Sequence, residues 1–257
     1  SKIKTLNEYP YEVFLYGENQ KGLEKAVKPY IVNTKLQPAP AKEYAEPATA
    51  GKVYFTPYDM VQMEMSKVAK AGNVNVANFG KASVFNEYFG RGLSSIVFQE
   101  IRESKSLAYS AYVSYANATE KNHPNYVTTY IGTQANKLPL AVSAMSDLMA
   151  ELPQIPAQFE NAKGSALKQI ASNRINRTVT YYNQLSLKKL GIDHDVRKDI
   201  YAEIQSLTLP QLTNFYNTEI KPLQYNTAII GKKENLNMES INKMGTFTEV
   251  SLEEIFG

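Results

Sequence analysis

The 257-residue chain has no cysteine, no tryptophan and only two histidines. Without cysteine it carries no disulfide framework, zinc ribbon, iron–sulfur cluster or thiol nucleophile. That absence suits an oxidising compartment such as a bacterial envelope or periplasm without requiring one, so localisation stays open. No apolar run approaches the ~18 to 20 residues that span a bilayer, and membrane insertion is not expected. The first residues, SKIKTLNEYPYEV, lack the apolar core of a secretory signal, which leaves a removed signal or an excised fragment as alternatives. Charge of one sign is scarce too: 28 Lys and Arg stand against 25 Asp and Glu, a formal net charge of +3. The basic residues are dispersed and no basic stripe interleaves with stacking aromatics, which argues against a nucleic-acid partner.

Catalytic motifs are equally sparse. His123 lies in KNHPN and His194 in GIDHDV, both read as exposed structural histidines in turns. A catalytic zinc takes three protein ligands, yet neither H-E-x-x-H nor the inverted H-x-x-E-H occurs, so no metal site is expected. There is no G-x-S-x-G elbow and no Walker loop, and GRG at 90–92 is too short for a phosphate fingerprint. Asp193 and Asp195 beside His194 read as a solvated turn rather than a cation site.

What is present is a globular composition, 43% hydrophobic and 21% charged. The 18 tyrosines fit half-buried strands. Asn33 to Gly51 alternates Pro38, Pro40 and Pro47 with alanine and charged residues, the pattern of an extended linker. The reading therefore divides the chain into residues 1–33, a strand (Tyr11 to Gly17) and helix (Gly22 to Val32) closing a preceding domain, a linker at 34–51, and a main domain at 52–257. In the main domain, strands are expected within 52–70, 107–115 and 125–134, and again near Tyr225 and Gly245. Helices are expected at 73–89, at 137–152 on a Leu140, Ala144, Leu148 stripe, at 157–173, 178–190 and 195–207, and after Thr208. Strands and helices come in groups without regular alternation, which predicts α+β: an antiparallel-rich mixed sheet with helices on one face. EVFLYGENQKGLEKAVKPYIV and YNTAIIGKKENLNMESINKM share a strand, glycine, loop, helix plan, an internal echo that fits either chance or duplication.

GRGLSSIVFQEIRESKSLAYSAYVSY, from Gly90 to Tyr115, concentrates the rest. The glycines permit a tight turn, Ser94 or Ser95 can cap, and Leu93, Val97 and Ile101 predict one apolar helical face. Arg102 falls in the last turn, where the helix dipole favours a cation. Tyr109 falls in an alternating strand, where an aromatic is ordinary. Each has a sufficient structural reason by itself.

FNEYFGRGLSSIVFQEIRESKSLAYSAYVSY resembles the C-terminal, non-zinc domain of the pitrilysin or insulinase family of zinc metallopeptidases, which includes mitochondrial processing peptidases and core proteins of respiratory complex III. The residues that carry the likeness are Gly90, Gly92, Ser94, Ser95, Phe98, Arg102, Glu103, Lys105 and Leu107 to Ser110, and a looser similarity runs from about Gly51 to the end. The resemblance implies a clamshell in which two homologous halves enclose an unfolded peptide, with zinc held by the H-x-x-E-H of the other half. It implies that Arg102 and Tyr109 reach into the chamber, hold substrate carbonyls and assist the developing oxyanion. This chain lacks every zinc ligand and the general base. The expectation is a substrate-binding half, separate subunit or fragment, inactive alone and needing a zinc-bearing partner half. The alternative is a catalytically inactive scaffold of the same fold.

Overall fold

The computed structural model describes residues 8–14, 22–30, 36–42, 44 and 46–257. Contacts divide the chain into two units, one of residues 1–47 and 175–183 and one of residues 48–174 and 184–257. In the first, helix α1 (Leu23–Val27) passes into a 3₁₀ turn, Lys28–Tyr30, containing Pro29. The helix expected over 22–32 is therefore shorter and tightens at the proline; residues 31 and 32 lie outside the described residues. Tyr11–Phe14 is not in a strand, and the remainder of the strand expected there, residues 15–17, also lies outside them.

The second unit is built on six strands: β1 (Lys52–Pro57), β2 (Gln62–Asn73), β3 (Ser110–Ala116), β4 (Pro124–Gln134), β5 (Asn226–Gly231) and β6 (Thr246–Glu249). Their order is β3-β4-β2-β5-β1-β6. The β3–β4, β4–β2 and β2–β5 pairs are antiparallel, whereas β1 runs parallel to both β5 and β6. The sheet is thus antiparallel-rich and mixed. Asn226 fixes the entry to β1, its side-chain oxygen accepting from the N–H groups of Ala50 and Lys52 at 3.0 and 3.1 Å.

Alternation along the strands sends one set of side chains into the core. Val53, Phe55, Met63, Met65, Val113, Ile131 and Ile229 are buried on that face. Against them pack helix α2 (Phe79–Phe85), continued as a π-helical turn over Asn86–Gly90, and the longer helices α3 (Leu138–Ala150), α4 (Pro156–Ser172), α6 (Arg197–Ser206) and α7 (Leu209–Glu219). Helix α5 (Arg177–Lys189) precedes α6 and is ended by Gly191 at φ 74°, with the Ile192 N–H bonded to the Leu187 carbonyl. Phe85 and Phe89 stack on each other and lie near Tyr216 of α7, with ring centroids 5.4 to 6.1 Å apart. Each such ring removes enough apolar surface from water to contribute roughly 1.5–3 kcal/mol. Short helices α8 (Met238–Asn242) and α9 (Leu252–Phe256) close the sequence of elements.

Two expected apolar stripes are displaced. Leu93 is 73% exposed because it sits in the turn before the helix, not on it; Ile96, Val97 and Ile101 form the buried face. Leu140 is 62% exposed, and α3 instead buries Leu138, Ala141, Ala144 and Met145. Expected strand and helix positions shift slightly elsewhere: β2 extends to Asn73, so the following helix starts later, and β3 begins at Ser110.

Candidate functional site

The stretch from Gly90 to Tyr115 folds into a turn, a helix that is π-helical over Phe98–Ser104, a sharp reversal, and edge strand β3. Ser95 caps the helix: it is fully buried, its Oγ donates to the Gly92 carbonyl at 2.9 Å and accepts from the Phe98 N–H at 3.4 Å. Gly90 faces β3 so closely that a methyl group there would overlap the Val113 carbonyl. Asn86 holds the same edge, donating from Nδ2 to the Tyr115 carbonyl at 2.9 Å and accepting the Tyr115 N–H at 2.8 Å. The π-helical turn Asn86–Gly90 that precedes this helix is therefore locked to β3.

The far end of the helix is fixed as firmly. The Lys105 N–H reaches back to the Glu100 carbonyl at 3.2 Å, an i→i+5 bond that widens the last turn. Ser106 takes a left-handed backbone, φ 49°, unusual for a residue with a side chain. The Leu107 N–H then donates to the Ile101 carbonyl at 2.9 Å, and Lys137 Nζ donates to the Ser106 carbonyl at 3.0 Å. Thr133 Oγ1 donates to the Leu107 carbonyl at 2.6 Å and the Tyr109 N–H to the Gly132 carbonyl at 2.9 Å.

This joint brings Arg102 and Tyr109 together. The Arg102 guanidinium carbon lies 4.8 Å from the Phe98 ring centroid and 5.6 Å from that of Tyr109. Cations at such distances are attracted by the negative faces of the rings, which restricts the guanidinium without removing its N–H donors. Arg102 Nε is 3.5 Å from Glu103 Oε1, and the arginine side chain remains 42% exposed. Tyr109, just before β3, is 71% exposed. A cation and a phenol thus face solvent side by side on a backbone with little freedom. Phe98, Ser106 and Lys137 hold the pair; the i, i+4 spacing of Phe98 and Arg102 signals the first in sequence, while nothing local signals the other two.

The histidines lie elsewhere. His123 is in the turn between β3 and β4, with Nε2 3.9 Å from Glu120 Oε2. His194 precedes α6, with Nδ1 3.1 Å from Asp193 Oδ1 and Nε2 2.9 Å from Asp199 Oδ2. Among the described residues no three His, Asp or Glu side chains converge as a metal site, so the donor set does not fit zinc. Among them, too, no helix is long and apolar enough to cross a membrane.

Comparison with known proteins supplies the family context. The family model described as the peptidase M16 inactive domain matches residues 11–165. An uncharacterised zinc protease of Bacillus subtilis (strain 168), YmxG, is 28% identical over 160 residues, which cover 60% of this chain and 37% of that protein. Among solved structures, a peptidase M16 inactive domain from Pseudomonas fluorescens superposes with a TM-score of 0.62 at 14% identity, covering 84% of this chain and 52% of that one. A protease from Helicobacter pylori gives a TM-score of 0.60 at 14% identity, with coverages of 83% and 53%. The periplasmic protease PqqL from Escherichia coli gives 0.61 at 10% identity, with coverages of 84% and 24%. At these identities the structural likenesses show the fold, and the chain spans only 37% of the curated relative and about half or less of these structures.

Proposed function

Because this chain belongs to the peptidase M16 inactive-domain family, we propose that it is the substrate-binding half of a zinc metalloendopeptidase, completed by a zinc-bearing half in the same polypeptide or another subunit. Arg102 and Tyr109 are the residues that touch the unfolded peptide. The observation that carries this reading is their placement: two exposed hydrogen-bond donors of different chemistry, adjacent on a joint fixed from both ends. Neither is needed to fill the core. The guanidinium presents N–H groups in a planar fork and stays charged at any working pH, so it suits a peptide carbonyl as its oxygen gains negative charge. The phenol O–H donates to the same oxygen or its neighbour. Such donors act best when already aimed before the reaction, and removing one typically costs about 2.7–4 kcal/mol of transition-state stabilisation.

The zinc and the attacking water lie outside this chain's donor set, and this chain's part is to bind and orient. The test is steady-state kinetics of the assembled two-half enzyme. Arg102→Ala and Tyr109→Phe are each expected to lower kcat about 10²-fold with a smaller rise in KM, the signature of contacts strongest in the transition state. Wild-type kinetics in both correctly folded variants would overturn this reading and leave the chain as a scaffold half of the same fold.

A further inference from the structure

Ser106 is the pivot of the joint, lying between Arg102 and Tyr109 in the chain. Its left-handed backbone, φ 49°, is one that a residue with a side chain keeps only where its surroundings over-determine it. On the helix side the Leu107 N–H donates to the Ile101 carbonyl at 2.9 Å, and on the strand side Thr133 Oγ1 donates to the Leu107 carbonyl at 2.6 Å. The carbonyl of Ser106 itself accepts from Lys137 Nζ at 3.0 Å, a charge-assisted bond.

Lys137 runs against the preference of its own position. It ends the 3₁₀ turn Ala135–Lys137 that leads into α3, so its side chain leaves from the amino-terminal end of a helix. The helix dipole disfavours a cation there, and Lys137 supplies no cap to the free N–H groups. No Asp or Glu stands in the first turn of α3 to offset the charge, and among the described residues Lys137 makes no ion pair. Its ammonium is turned instead onto a neutral carbonyl 31 positions away. A residue that opposes its local preference in this way marks a functional constraint on the group it holds. Ser106 is exposed, so water would satisfy its carbonyl if the lysine left. The bond therefore adds little to folding and fixes instead where the chain turns.

We propose that Lys137 is the positioning residue of this site, holding the Ser106 turn so that Tyr109 already stands beside Arg102 when a peptide arrives. The inference rests on the reading of Arg102 and Tyr109 as peptide contacts. Lys137 touches no reacting atom and acts through the backbone. The Tyr109 N–H is bonded to the Gly132 carbonyl at 2.9 Å, and Thr133 and Lys137 follow on the same connection. One short segment, Gly132 to Lys137, thus grips the joint at Ser106, Leu107 and Tyr109. Releasing the grip at Ser106 lets the left-handed turn relax to a commoner conformation, which moves the phenol relative to the guanidinium. Displacing donors that must be aimed in advance costs turnover more than it costs binding.

The experiment combines steady-state kinetics of the assembled two-half enzyme with amide hydrogen exchange and urea unfolding of the 257-residue chain. Lys137→Met keeps the aliphatic stem and removes both the donor and the charge at the helix end. It is expected to lower kcat about tenfold with KM within about twofold of wild type. The urea midpoint is expected to stay at the wild-type value while the Leu107 and Tyr109 amides exchange about tenfold faster. Lys137→Arg keeps a cationic donor and is expected to retain kcat within about threefold. In the Tyr109→Phe background Lys137→Met is expected to lower kcat little further, because the two residues act as one unit. A wild-type kcat in Lys137→Met, an equal fall in Lys137→Arg, or the full fall on top of Tyr109→Phe would overturn the proposal. So would a fall in kcat that follows a lowered urea midpoint, which would make Lys137 a stabilising residue only. The underlying reading fails on a different result, wild-type kinetics in Arg102→Ala and Tyr109→Phe, so the two failures are told apart.

Discussion

The guanidinium of Arg102 rests 5.6 Å from the ring centroid of Tyr109, although the two residues come from different secondary-structure elements. This contact makes stability and function separable. An exposed cation–π pair contributes only about 0.5–1 kcal/mol, and Tyr109→Phe keeps the ring. Urea unfolding of Tyr109→Phe is therefore expected to match the wild type within about 0.5 kcal/mol. A large loss of stability would return the hydroxyl to a structural role.

Gly90→Ala is expected to destabilise far more than a helix alanine normally would. Its methyl group would meet the Val113 carbonyl, which belongs to backbone and has no rotamer to yield. The cost is of the overpacking kind, about 1–3 kcal/mol, and a lowered denaturation midpoint with unchanged m-value would register it.

Asn86→Ala removes both partners of the Tyr115 backbone at the edge of the sheet. With a donor and an acceptor left unpaired in a part-buried setting, a loss of about 2–4 kcal/mol follows. Hydrogen exchange at the Tyr115 amide should accelerate; retention of wild-type protection would refute the assignment.

His194 is held by two carboxylates. Hydrogen bonds to Asp193 and then Asp199 raise its pKa above 6.5. A group raised on folding contributes stability that is fully present below its unfolded pKa, about 6.5, and is lost as pH rises through the folded value. The ring is solvent-exposed, so the effect on folding is small. The sharper measurement is the NMR midpoint of the imidazole, expected above 6.5 and lowered in Asp199→Asn.

Zinc content offers the simplest check on the division of labour between halves. Elemental analysis of the purified chain is expected to show well under one equivalent, and the chain alone is expected to cleave no peptide, since its described residues form no ligand set. One equivalent of zinc accompanied by peptidase activity would contradict this.

The class of fold and the joint between helix and strand were both legible because they depend on local patterning. Alternation at Val113 and Tyr115 and the apolar positions Val97 and Ile101 fall on the buried side as their periods require. Leu93 and Leu140 escaped this logic for a common reason: a helical period gives spacing but not where the helix begins or which neighbour it meets. Ser106 was illegible in a different way, since its left-handed backbone is imposed by the widened turn before it and by Lys137, a residue distant in sequence. The make-up of the sheet's other face depended on register between strands far apart in the chain. No periodicity in Ser66 or Ala228 reveals that they will be neighbours.

The position of β1 has a consequence for biosynthesis. Among the described residues its strand partners are β5 and β6, so after residues 52–57 leave the ribosome they wait through the synthesis of residues 58–225 before pairing with them. The antiparallel β2–β3–β4 portion can assemble meanwhile from contacts nearer in sequence. Non-local parallel pairing is slow and leaves apolar strands exposed in the interim. A nascent chain stalled before residue 226 would therefore display Val53 and Phe55 with no sheet to receive them, a natural point for chaperone capture.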